Sequence, residues 1–220
     1  MKLYGIGTGP GATDLLTLRA VNSIKDSSII FAPNNRGKNM AVDTCKEFIE
    51  EKKVNLIDFP MGEVTREDYK NAAKTIYEDL KKYKVGSFLT IGDSMIYSTF
   101  IYIAQELMEI DNTVEIEIVP GIPSFVASAA RAQVQLTEKS ENFLLCDEFD
   151  EKALEIADSI AILKTFKNKE EILEGLERNN FSYNYIKKVS LPDEEILDET
   201  RKDEILNDKN YMSLILGRRK

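Results

Sequence analysis

Apolar residues keep two different periods along this chain. Short apolar runs stand at 3–6, 28–31, 54–59, 85–91 and 114–119, the lengths expected of buried strands. Between them apolar positions fall three and four apart, which predicts helices over 14–25, 40–51, 66–84 and 100–108. In the 66–84 helix, Tyr69, Ala72, Ala73, Ile76 and Leu80 form one stripe, opposite a charged face that reads as solvated. Alternating strands and helices predict a mostly parallel sheet covered by helices. Beyond 121 strands become more frequent, at 142–146, 159–164, 186–190 and 212–216, with helices at 125–132, 151–157 and 169–179. The expected organisation is α/β, with one α/β domain over 1–115 and a second over 116–220.

The first strand runs into four glycines on alternate positions, Gly5, Gly7, Gly9 and Gly11, with Pro10 among them. Asp14 stands where a helix N-cap belongs, ahead of Leu15, Leu16, Leu18 and Val21. Strand, glycine loop and helix together bring backbone close to a ligand, because glycine lacks the side chain that would block approach. A dinucleotide fingerprint does not fit. Counting from Gly5, its third glycine falls on Pro10, and counting from Gly7 it falls on Ala12. The 28–31 strand also ends in Ala32 and Pro33 rather than an acidic residue.

Composition narrows the chemistry. With 43% hydrophobic and 30% charged residues, the 220-residue chain has the make-up of a folded, water-soluble protein. No apolar run reaches the ~18 residues of a membrane span, and the first strand begins at once, so a cytoplasmic protein without a signal peptide is expected. A formal charge of −9 argues against general binding to nucleic acid or anionic lipid. Histidine is absent and the two cysteines, Cys45 and Cys146, lie far apart. That removes histidine-based triads and zinc sites, and no metal site is expected.

Three strands end in a glycine-bearing loop that leads into a helix: at 5–11, 92–99 and 120–124. In α/β sheets ligands sit outside the carboxyl ends of strands, so these loops can converge on one crevice. Together they resemble the tetrapyrrole (corrin and porphyrin) methyltransferases that use S-adenosylmethionine. That family carries G-x-G-x-G before D-x-L-T-x-[RK]-A, here Gly7-Thr8-Gly9-Pro10-Gly11 and Asp14-Leu15-Leu16-Thr17-Leu18-Arg19-Ala20. Its G-D-P loop is similar to Gly92-Asp93-Ser94, and its V-P-G-x-[ST] loop to Val119-Pro120-Gly121-Ile122-Pro123-Ser124. Within the family, Gly92-Asp93-Ser94-Met95-Ile96-Tyr97-Ser98-Thr99-Phe100 looks most like enzymes that methylate C20 of precorrin-2 or cobalt-factor II. Two departures stand out. Ser94 replaces the loop proline, which should loosen the loop, and Leu163 replaces a common methionine.

The resemblance implies S-adenosylmethionine as methyl donor, held in a cleft between two domains. By matching positions its contacts are Pro10, Ile91, Gly92, Asp93, Ile96, Ser98, Thr99, Pro123, Ser124, Leu163 and Val189. Tyr97 or Asp93 is the candidate base, if one assists. Helix capping is the plainer reading of Asp93, Ser98, Thr99 and Ser124. A polycarboxylate tetrapyrrole substrate calls for local cations. Arg36 and Lys38 in the 32–38 loop are the first candidates, with Arg131 and Lys164, and then Arg19 and Lys167, behind them. The resemblance also implies a homodimer. Two other classes stay open: a methyltransferase acting on another ring position or on a diphthamide precursor, and a non-catalytic nucleotide-binding module.

Overall fold

A computed structural model describes residues 1–34, 39–60 and 64–220. The chain divides into two units, Met1–Pro123 and Ser124–Lys220. The first contains β1 (Lys2–Gly7), α1 (Leu18–Asp26), β2 (Ile29–Pro33), α2 (Met40–Thr44), α3 (Lys46–Ile49) and β3 (Lys53–Ile57). It continues with α4 (Arg66–Tyr83), β4 (Val85–Thr90), α5 (Thr99–Ile110) and β5 (Glu115–Val119). Its five strands lie in the order β3-β2-β4-β1-β5, every neighbouring pair parallel.

Successive side chains of a strand point to opposite faces, and both faces here are apolar. Leu3, Ile29, Phe31 and Phe88 meet Ala73, Ile76, Leu80, Phe100 and Ile103 of α4 and α5. On the other face Tyr4, Ile6, Ile30, Ala32 and Leu89 meet Ala20, Ile24, Ala41, Cys45 and Ile49. Because all five strands run the same way, their carboxyl ends and the loops that follow lie along one edge.

The second unit is built from α6 (Ser124–Ala132), β6 (Phe143–Cys146), β7 (Ser159–Leu163), α7 (Lys169–Arg178) and β8 (Phe181–Lys187). It ends with β9 (Glu195–Asp198), α8 (Lys202–Asn207) and β10 (Ser213–Arg219). The strand order is β6-β7-β10-β8-β9. β6 and β7 are parallel, and the other pairs antiparallel. Ile160, Ile162, Tyr183, Tyr185 and Ile215 pack on one face against Ile172, Leu173 and Leu176 of α7 and Ile205 of α8.

Several expected boundaries move. β5 pairs with β1 from Lys2↔Glu115 to Ile6↔Val119, so the units part at Pro123 and Ser124 rather than after 115. α1 begins four residues beyond Asp14, which lies in a 3-10 turn at Thr13–Leu15; the Thr17 side chain accepts the Ala20 N–H instead. The expected 40–51 helix breaks at Cys45, whose backbone (φ −98°, ψ 5°) leaves the helical region. The 151–157 helix is a 3-10 turn at Glu151–Glu155. β8 starts at Phe181, and β9 and α8 have no counterpart among the expected elements. Phe181, Tyr183 and Tyr185 alternate with Ser182 and Asn184, a period-two strand that a search for continuous apolar runs passes over.

Candidate functional site

The loop after β4 crosses the end of β1 and is fastened on both sides. Gly9 and Gly92 exchange N–H···O=C bonds of 3.1 and 2.7 Å, an isolated bridge between the first and second glycine loops. The Asp93 carboxylate accepts the Met95 N–H at 2.8 Å through Oδ1 and the Gly121 N–H at 2.9 Å through Oδ2. One side chain thus fixes its own turn and joins it to the loop after β5. Ser94 is wholly buried, and its hydroxyl donates toward the Gly5 carbonyl at 3.2 Å and Val119 at 3.5 Å. The serine that was expected to loosen the loop ties it to β1 and β5 instead, because its Oγ reaches carbonyls that a proline ring could not bond. Ser98 then caps α5, accepting the Phe100 N–H at 3.1 Å.

Glycine is required where these loops meet. A Cβ on Gly121 would lie 2.2 Å from the Gly92 carbonyl oxygen and 2.6 Å from the Gly7 carbonyl carbon. A Cβ on Gly7 would lie 2.5 Å from the Gly121 nitrogen. Gly92 differs: its φ is +73° and its Cβ position is open space. Backbone there is bare toward the outside, the arrangement a closely approaching ligand needs. Tyr97 is left-handed as well, at φ 46°, although it is a bulky residue and 53% exposed. Such backbone strain concentrates at functional sites.

Pro10, Ile91, Gly92, Asp93, Ile96, Tyr97, Ser98, Thr99 and Pro123 all belong to the first unit, in or beside these loops. Pro10 is buried, Ile91 exposed, and Ile96 and Pro123 half-buried. In the second unit Ser124 opens α6 and Leu163 ends β7, while buried Val189 follows β8. β7 and β8 both run antiparallel to β10, so Leu163 and Val189 lie at one end of that sheet. Backbone there is strained too, with Lys164, Lys188 and Ser190 at positive φ.

The cations proposed for substrate divide into two groups. Arg36 and Lys38 lie outside the described residues. Arg131 pairs with Glu194 through Nε at 2.7 Å, and Lys164 with Asp147 at 3.0 Å, both at the surface. Arg19 bonds Glu117, whose carboxyl is held below its ordinary range first by Lys2 and then by Arg19. Lys167 lies over the Phe166 ring, 5.5 Å from its centroid. Among the described residues no group of three or more His, Cys, Asp or Glu is placed to hold a metal ion, and no helix is long and apolar enough to cross a membrane.

The sequence pattern did not mark Ser94 as an anchor or Gly121 as the partner of Asp93. Only the glycines at 7, 92 and 121 signalled that backbones would touch there.

The family model for tetrapyrrole (corrin/porphyrin) methylases matches residues 2–204. A protein of Methanocaldococcus jannaschii named probable cobalt-precorrin-2 C(20)-methyltransferase is 34% identical, covering 99% of this chain and 96% of its own length. The cobalt-precorrin-2 C(20)-methyltransferase of Salmonella typhimurium is 32% identical over 75% of this chain and 73% of its own. Among solved structures, a cobalt precorrin-4 methyltransferase aligns with a TM-score of 0.77 and 20% identity, over 99% of this chain and 94% of that one. The uroporphyrin-III C-methyltransferase of Thermus thermophilus, complexed with S-adenosylhomocysteine, aligns with a TM-score of 0.74 and 17% identity, over 99% and 92%.

Proposed function

This chain belongs to the tetrapyrrole (corrin and porphyrin) methylases, and we propose that it transfers a methyl group from S-adenosylmethionine to C20 of precorrin-2 or cobalt-factor II in corrin biosynthesis. Likeness over nearly the full length to a protein named as a probable C20-methyltransferase carries this reading. The match of Tyr97-Ser98-Thr99-Phe100 to that branch supports it.

S-adenosylmethionine supplies an electrophilic methyl group whose leaving thioether is neutral, so the transfer needs no acid. That suits a chain without histidine. The fastened loop fits such a donor: Gly92 offers bare backbone, and Ile91 and Ile96 offer apolar walls. With Pro10, Ser98, Thr99, Pro123, Ser124, Leu163 and Val189, these residues are our proposed cofactor contacts. Asp93 spends both oxygens on backbone N–H groups, so we assign it to positioning. Tyr97 orients the acceptor and is the remaining candidate to take its proton. Rate comes mainly from alignment, for which about 7–11 kcal/mol is available. Arg131 and Lys164 are proposed to exchange their carboxylate partners, Glu194 and Asp147, for those of the substrate, and Arg36 and Lys38 are proposed as further substrate cations. The same proposal takes the enzyme to be a cytoplasmic homodimer, which sedimentation of the purified chain would test.

The decisive experiment incubates the protein with methyl-labelled S-adenosylmethionine and either precorrin-2 or cobalt-factor II, then locates the label by mass and NMR. Label at C20 is expected. Label at another ring carbon would assign the chain to a sister activity, and no transfer to either substrate would overturn the reading.

A further inference from the structure

The edge of the first sheet that carries the glycine loops also carries a row of large side chains, of which Met95, Tyr97 and Tyr102 are exposed while Tyr69 and Phe59 pack against the core behind them. Met95 and Tyr97 stand 52% and 53% exposed on a loop whose backbone is fastened at Gly92, Asp93, Ser94 and Ser98. One turn into α5, Tyr102 is 51% exposed and stacks on Tyr69 of α4, with ring centroids 4.8 Å apart and planes 23° from parallel. Tyr69 in turn meets Phe59, 5.9 Å away at the carboxyl end of β3. The helices α4 and α5 both start at this edge, so all five residues lie on the ligand side of the sheet. Beside the stacked pair, Arg66 opens α4 three residues before Tyr69, and its Nε donates at 2.6 Å to Glu106, four residues after Tyr102. The Arg66 side chain is 79% exposed.

We propose that Met95, Tyr97 and Tyr102, backed by Tyr69 and Phe59, form a ledge that takes the flat face of the tetrapyrrole acceptor, with Arg66 receiving one of its peripheral carboxylates. The proposal rests on the methyltransferase reading above and adds the residues that select the acceptor. The acceptor is favoured over the methyl donor on three grounds. The rings in series make a surface longer than one adenine. Aromatic faces and a pliable thioether suit a broad, puckered macrocycle. A guanidinium beside rings suits a ligand that is apolar on its face and anionic at its rim.

The test measures two affinities on each variant, for cobalt-factor II and for S-adenosylhomocysteine. Tyr102→Ser and Met95→Ser should each weaken cobalt-factor II binding roughly tenfold, the scale of one lost ring or thioether contact. Tyr102→Phe should restore it, and Arg66→Gln should weaken it while flattening its salt dependence. Affinity for S-adenosylhomocysteine should hold in all four, and Met108→Ser, an exposed methionine further along α5, should leave both affinities alone. Parental cobalt-factor II affinity in Tyr102→Ser and Met95→Ser would overturn the ledge. So would a parallel loss of S-adenosylhomocysteine binding, or a loss of self-association with substrate affinity intact. A parent chain that binds S-adenosylhomocysteine but neither cobalt-factor II nor precorrin-2 would instead sink the methyltransferase reading beneath it.

Discussion

Asp93 and Ser94 are neighbours that hold one loop by opposite chemistry. The carboxylate accepts two backbone N–H groups, and the hydroxyl donates to carbonyls of the strand beneath. In Asp93→Asn one of the two acceptors becomes a donor facing an N–H, so one bond is lost. A cost of about 1–2 kcal/mol is expected, read as a lower denaturation midpoint and a weaker S-adenosylhomocysteine affinity by calorimetry. An unchanged affinity would show that the tie to Gly121 does not shape the donor site. Tyr97 presents the reverse case. Its left-handed backbone is strained while half its side chain is in solvent, so Tyr97→Gly should raise stability by about 1 kcal/mol and lower kcat. Tyr97→Phe keeps the ring and should leave kcat within about tenfold; a fall of roughly a hundredfold would make the phenol a proton acceptor.

Elements differ in how well the sequence announces them. The first unit was legible because apolar runs and helical stripes alternate without interruption, and each strand ends in a glycine or proline. The start of α1 was not. Asp14 and Thr17 both suit an N-cap, and only the fold selects Thr17. α4 is unambiguous: Thr65 and Asp68 form a reciprocal capping box. Thr65→Ala should cost about 0.5–2 kcal/mol of stability with no change in S-adenosylhomocysteine affinity, which separates capping from ligand binding. In the second unit β9 and α8 are short, and their signals fall below those of their neighbours. Much the same holds for the site. Glycines at 7, 92 and 121 report backbone proximity whatever the fold. The anchor at Ser94 and the rings at 59, 69 and 102 acquire meaning only when sheet topology brings distant positions to one edge.

At the scale of the whole molecule, the absence of histidine sets how stability must follow pH. No side chain of ordinary pKa changes charge between pH 5 and 8, so the denaturant midpoint should stay flat from about pH 5.5 to 8. On the acid side, the Thr65 hydroxyl and backbone hold Asp68 below its usual range, and Lys2 and Arg19 do the same for Glu117. Groups lowered in the fold add stability above their unfolded pKa of about 4 and lose it as pH falls further. On the alkaline side, burial pushes the Cys45 thiol up to about 12. Burial, and then Asp147, raise Cys146 to about 11. Unfolded thiols ionise near 8.5, so stability should fall above that pH by about a factor of ten per pH unit for each thiol. Cys45→Ala will be less stable throughout, having lost buried contacts, but its alkaline slope should be shallower by about one proton. Chemical denaturation at closely spaced pH values from 3 to 10.5 reads both arms. A step inside the flat region would reveal a group that titrates near neutrality, and an unchanged alkaline slope in Cys45→Ala would show that this thiol does not set it.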